Sequence, residues 1–149
     1  MLRNIALSAL VLGVTATASA QTGKAAGQYD PAAERTYGGV VTAVISVASP
    51  EGTVGVHLNL KTATGSVVKV QLGPAVFIGM NNFSFFVDDL ILVTGADVTH
   101  AGEAAVWARQ VSKDGHTLVL RGADGTPRWP FATADDPDGC GVSHDPVRY

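Results

Sequence analysis

The feature that most constrains the fold of this chain is a series of short β-type segments between Tyr37 and Trp129. It is interrupted once, after the third, by a segment opening on Gly73-Pro74. Residues 39–47 are rich in β-branched side chains and predict a first strand. Ser49-Pro50-Glu51-Gly52 predicts a turn. In the second segment Val54, Val56, Leu58 and Leu60 alternate with Gly55, His57, Asn59 and Lys61, the period of a strand with one buried face. Thr62-Ala63-Thr64-Gly65 reverses the chain, and Val68, Val70 and Leu72 repeat the alternation, so these two strands predict a hairpin. Pro74 donates no ladder hydrogen bond but suits a first helical turn, which places a short helix between Pro74 and Asn81.

Further strands are expected at residues 90–98, 104–111 and 116–121. Three strands, a short helix and two more strands is the order of the OB fold, with the sixth strand an addition. The expected class is all-β: a small OB-like antiparallel barrel of five strands plus one added strand, with a short helix after strand 3, over residues 37–129. A small sandwich or an SH3-like barrel gives a similar spacing of strands. Val56, Leu58, Val70, Ile91, Val93 and Leu118 are the expected core, and Phe83, Phe85 and Phe86 are expected to plug one end.

The N-terminus carries the three parts of a secretory leader: Arg3, the apolar run at residues 5–14, and Ala18-Ser19-Ala20 as a small-x-small cleavage site. The expected division is a signal peptide at residues 1–20, a flexible segment at 21–36 and a loose acidic tail at 130–149. Localisation is then periplasmic or secreted, with no membrane span after cleavage. The chain holds 10 Lys and Arg against 13 Asp and Glu, and loss of Arg3 makes it one charge more acidic. That balance argues against nucleic acid as a partner, because phosphate contacts need clustered Lys and Arg. With one Cys, no internal disulfide can form.

Four blocks carry a resemblance: Leu72-Gly73-Pro74; Asp89 with Val93-Thr94-Gly95; Ala108-Arg109-x-Val111; and Leu120-Arg121 with Asp124-Gly125-x-Pro127-x-Trp129. Over residues 39–129 the chain resembles the OB-like domains of MamS/MamX-type magnetosome proteins. The resemblance implies a periplasmic accessory role, in some cases near iron or electron-transfer proteins. The haem-attachment pattern Cys-x-x-Cys-His found in some of those proteins is absent, so it assigns no catalytic residue.

Candidate sites are few. Cys140 and His144, with Asp135, Asp136, Asp138 and Asp145 nearby, offer two ligands of the type that holds zinc or copper, where a closed zinc site takes four. The plainer reading is an acidic tail with one incidental thiol, which can also form an intermolecular disulfide. His57, His100 and His116 read as surface histidines. Asp88-Asp89 reads as a turn, since adjacent residues of an extended chain point to opposite faces. No Gly-x-Ser-x-Gly, phosphate loop or His-Glu-x-x-His is present.

The last hairpin carries the sharpest geometric expectation. A three-residue turn at Lys113-Asp114-Gly115 pairs Trp107 with Arg121 and Arg109 with Val119. That register puts Ala104, Val106, Ala108, Leu118 and Leu120 on an apolar face. It makes Trp107, Arg109 and Arg121 one exposed patch, suited to an acidic or flat ligand or to cross-strand bracing.

The functional expectation is an exported, non-catalytic binding domain for an extracytoplasmic protein or small ligand. Cys140 and His144 provide the alternative, a metal- or redox-linked accessory protein, and apart from that possible metal ion no cofactor is expected. A third reading is an oligosaccharide- or nucleic-acid-binding OB module.

Overall fold

The computed structural model describes residues 28–48, 52–100 and 102–130. A 3-10 turn (Pro31–Ala33) leads into β1 (Glu34–Ala48), followed by β2 (Val54–Thr62), β3 (Val67–Pro74), α1 (Ala75–Met80), β4 (Leu90–His100), β5 (Glu103–Lys113) and β6 (His116–Val119). The class is all-β. Five strands form a ring in which β1 pairs with β2 and β4, β2 with β3, and β4 with β5, all antiparallel. The ring closes through a short parallel seam of two pairs, Val70 with Val106 and Gln71 with Trp107. The added β6 pairs with residues 110–113 of β5, on the same edge as the β3 seam and beyond it.

The alternation seen in the sequence becomes the inside of the ring. Leu58, Leu60, Val70, Ile91, Val93 and Leu118 are buried in one cluster, and Val56 packs against it half-buried. Phe85 joins this core and Phe83 packs on its rim, but Phe86 is exposed. Trp129 takes the expected place of Phe86. Its ring lies on Gly73, where an added Cβ would meet it at 2.7 Å, and meets Phe77 edge-on at a centroid distance of 5.8 Å.

Three expectations are corrected. Residues 28–36 do not form a loose lead-in: Tyr29 is buried, and β1 begins at Glu34, paired with Ala96. The hairpin between β5 and β6 turns on two residues, Asp114 and Gly115, whose φ angles are +52° and +79°. Two successive positive φ angles suit the twist of the flanking strands, and Asp-Gly is the pair that adopts them most readily. Lys113 therefore pairs with His116 and Gln110 with Val119, so Trp107 is not the cross-strand partner of Arg121. Finally, regular pairing in β6 stops at Val119. The N–H groups of Leu120 and Arg121 both donate to the Arg109 carbonyl, at 2.8 and 3.1 Å. Two residues opposite one is a bulge, and it turns both Leu120 and Arg121 inward.

Candidate functional site

The expected patch on the last hairpin is an interior structure. Trp107 and Arg121 are 5 % and 1 % exposed. The Arg121 guanidinium lies between two indoles, 5.0 Å from the Trp129 ring and 5.7 Å from that of Trp107. Its Nη1 donates to the Ala108 carbonyl at 2.6 Å and to the Leu72 carbonyl at 3.2 Å. Leu72 belongs to β3 and Ala108 to β5, so Arg121 ties the two strands together where their two-pair ladder has ended. The Trp107 indole N–H donates to Gln71 across the same seam, and Lys69 pairs with Glu103 at its other end. Parallel pairing of two residues is a weak closure, and side chains reinforce it along its length.

Arg109 turns elsewhere. It grips Glu34 with two hydrogen bonds, Nε to Oε2 at 2.7 Å and Nη2 to Oε1 at 2.8 Å, and Tyr29 donates its hydroxyl to Oε2 at 2.6 Å. The Arg109 hydrogen bond holds the Glu34 carboxyl below the usual range, and burial raises the Tyr29 phenol. This cluster fixes the chain before β1 to the middle of β5. The aromatic-plus-arginine constellation thus divides into a seam clamp and an N-terminal anchor.

Asp88-Asp89 is a turn, as its sequence indicates. Asp88 has φ +75°, and the Asp89 carboxylate accepts the Phe86 N–H at 2.8 Å and Lys113 Nζ at 2.6 Å. Burial works against the charged form of Asp89, but Lys113 and the Phe86 N–H outweigh it and lower its pKa. His57 lies within β2, half-buried, and His116 is exposed beside the last turn. Among the described residues no group of three or more His, Cys, Asp or Glu is placed to hold a metal ion. Cys140 and His144 lie outside the described residues, as do the leader and its cleavage site.

A mainly apolar concave surface lies outside the ring. It is a groove of about 820 Å³ across the outer faces of β1 and β4. One wall is the β2–β3 turn from Lys61, and the other is the β5–β6 turn through Asp114 and Gly115. Its floor follows from strand parity. Ile91 and Val93 point into the core, so Leu90 and Leu92 point out, and Val40 stands opposite Leu90. Gly38 stands opposite Leu92, whose side chain lies over it: an added Cβ would meet Leu92 Cδ2 at 3.1 Å. Leu90 and Leu92 are 72 % and 55 % exposed. The sequence signal for this groove was the unbroken apolar run Leu90-Ile91-Leu92-Val93. Such a run ordinarily marks a strand covered on both faces, and here the outer face has no cover among the described residues.

Residues 33–118, more than half of the chain, match the MamS/MamX magnetosome protein family. The chain belongs to the MamS/MamX magnetosome protein family. No curated protein matches it. The blocks that carried the family resemblance in the sequence are now explained by position: Gly73 seats Trp129, Arg109 holds Glu34, Arg121 clamps the seam and Asp89 holds Lys113. In this MamS/MamX chain, Gly73 and Arg121 serve the closing seam, while Arg109 and Asp89 hold the start of β1 and the turn before β4 to β5. The exposed groove is a separate feature.

Proposed function

We propose that this chain is an exported, non-catalytic accessory domain of the magnetosome-associated family and that it docks a partner protein in the groove between its two hairpin turns. The observation that carries the reading is the outward-facing trio Val40, Leu90 and Leu92 on the paired strands β1 and β4. Exposed apolar side chains scattered singly mean little, but a contiguous set in a concavity is the usual mark of a binding surface. The trio supplies an apolar centre, and Lys61, Thr62, Ser112 and Asp114 supply a polar rim, the anatomy of a protein interface. Family membership supports the accessory role. The leader-like segment supports export.

The test is the double substitution Leu90→Asp with Leu92→Asp. Both side chains face solvent, so the variant should fold with an unchanged thermal midpoint. Expressed in place of the parent chain in the source cells, it should reproduce the phenotype of deleting the gene. A folded variant that restores normal behaviour in full contradicts the groove reading. Intact mass of the extracytoplasmic chain checks export separately, with Gln21 as the expected first residue.

A further inference from the structure

One of the edges that the ring leaves incomplete runs along the second half of β1. β4 pairs with β1 only from Glu34 to Val40. At Val41 the ladder passes to the backbone of the preceding turn: Val41 N–H donates to the Asp89 carbonyl at 2.9 Å, and Asp88 N–H donates to the Val41 carbonyl at 2.8 Å. The left-handed backbone of Asp88 then carries the chain away. Beyond that point β1 continues for seven residues, Thr42-Ala43-Val44-Ile45-Ser46-Val47-Ala48, of which the six from Ala43 onward pair with β2 on one side. Among the described residues, no strand pairs with its other side.

An edge of this kind is a template for another strand. Proteins that keep such edges solitary place Lys, Pro or inward charges on them. These seven residues include no charge and no proline, and four of them are Val, Ile or Thr. The only irregularity is the bulge between Val41 and Ala43, at the end nearest the ring. Val44 and Ile45, on opposite faces, are 39 % and 41 % exposed. Val44 stands opposite the buried Leu58, so it faces the inner side of the sheet at a point where β4 no longer covers it.

We infer that this edge is a self-association surface, on which a second copy of the chain adds its own residues 43–48 antiparallel to the first. The occupant follows from the edge itself. An uncharged segment meets an identical uncharged segment with no like charges in contact, and antiparallel pairing about a two-fold axis consumes both edges and stops at two copies. A single added strand pair is a small interface, so association should be weak and concentration-dependent. The surface is distinct from the groove, and its failure leaves the groove reading intact.

The experiment is sedimentation equilibrium of the purified chain from micromolar to near-millimolar concentration. A Cys140→Ser background with reductant removes disulfide dimers. A reversible monomer–dimer equilibrium is expected. Ile45→Lys and Ile45→Glu should each weaken it by about tenfold or more through like-charge contact and lost apolar burial. An equimolar mixture of the two should recover it as a heterodimer. Circular dichroism checks that both variants fold, and the same charge pair at Val47 replaces them if either does not. A chain monomeric at the highest concentration overturns the inference, as does a dimer that neither charge variant weakens.

Discussion

Removal of the Arg121 side chain should open the ring at its weakest join. Arg121→Ala deletes two hydrogen bonds from a charged donor, each worth about 1.5–3 kcal/mol. It also deletes the contact of a desolvated guanidinium with two indoles, worth about 2 kcal/mol. The cavity left behind adds about 24 cal/mol per Å³ that the surroundings fail to refill. Against these stands the relief of no longer burying a cation, several kcal/mol in the opposite direction. The balance is a loss of about 3 kcal/mol, at the lower end of what breaking a buried charged network costs. With a urea dependence of about 1.5 kcal/mol per molar, the unfolding midpoint falls by about 2 M. Tryptophan fluorescence is the natural assay, because the chain has two tryptophans and both rings face Arg121. Arg121→Met should recover part of the loss, since it refills the space without supplying donors to the Leu72 and Ala108 carbonyls. A midpoint for Arg121→Ala within about 0.5 M of the parent, the behaviour of an exposed residue costing under about 1 kcal/mol, refutes the clamp.

Gly73→Ala should destabilise the fold by about 2 kcal/mol or more, because the new Cβ meets the Trp129 ring at 2.7 Å and φ is +147°; thermal unfolding checks it. Acid should unfold the protein partly through Glu34. Its folded pKa is depressed, so its contribution is full above the ordinary carboxylate value of about 4.3 and is lost as pH falls through the folded value. Glu34→Gln should flatten that limb of a melting-temperature profile between about pH 6 and 2. Tyr37 gives the alkaline counterpart. Burial, with the hydrogen bond to Asp97, raises its pKa to about 12. Its stabilisation is therefore complete below the ordinary phenol value of about 10 and is lost as pH rises through the folded value; Tyr37→Phe should lose that dependence.

The strand order, the helix after Pro74 and most of the core were legible because each rests on local chemistry. Period-2 alternation chose the inner faces of β2 and β3, and Pro74, the last paired residue of β3, donates no ladder hydrogen bond and caps the helix that follows. The hairpin register was missed at a place where a local signal existed: Asp114-Gly115 is the pair that accepts two positive φ angles. Reading Lys113 as a third turn residue shifted every partner by one. The burial of Arg121 had no comparable signal. It depends on a bulge opposite Arg109 and on a seam between strands more than thirty residues apart, and neither leaves a trace in the spacing of residues 116–121. Tyr29 and Glu34 were placed in a lead-in because their partner, Arg109, lies 75 residues beyond Glu34. The groove was half-visible. The run from Leu90 to Val93 is apolar on both faces, a signal that the expected strand at residues 90–98 did not use, and its lack of a cover among the described residues emerges only when the ring is closed.

The central claim is that the outer face at Leu90 and Leu92 is occupied by another protein in the cell. Site-specific photo-crosslinking tests it most directly. A photoreactive phenylalanine analogue is placed at Leu92, and a control is placed at the exposed Met80 at the end of α1. Irradiation of intact source cells should give one discrete adduct from position 92 and none of the same mass from position 80. Mass spectrometry should identify the second chain as a single protein. No adduct at position 92, or the same ladder of adducts at both positions, contradicts the account.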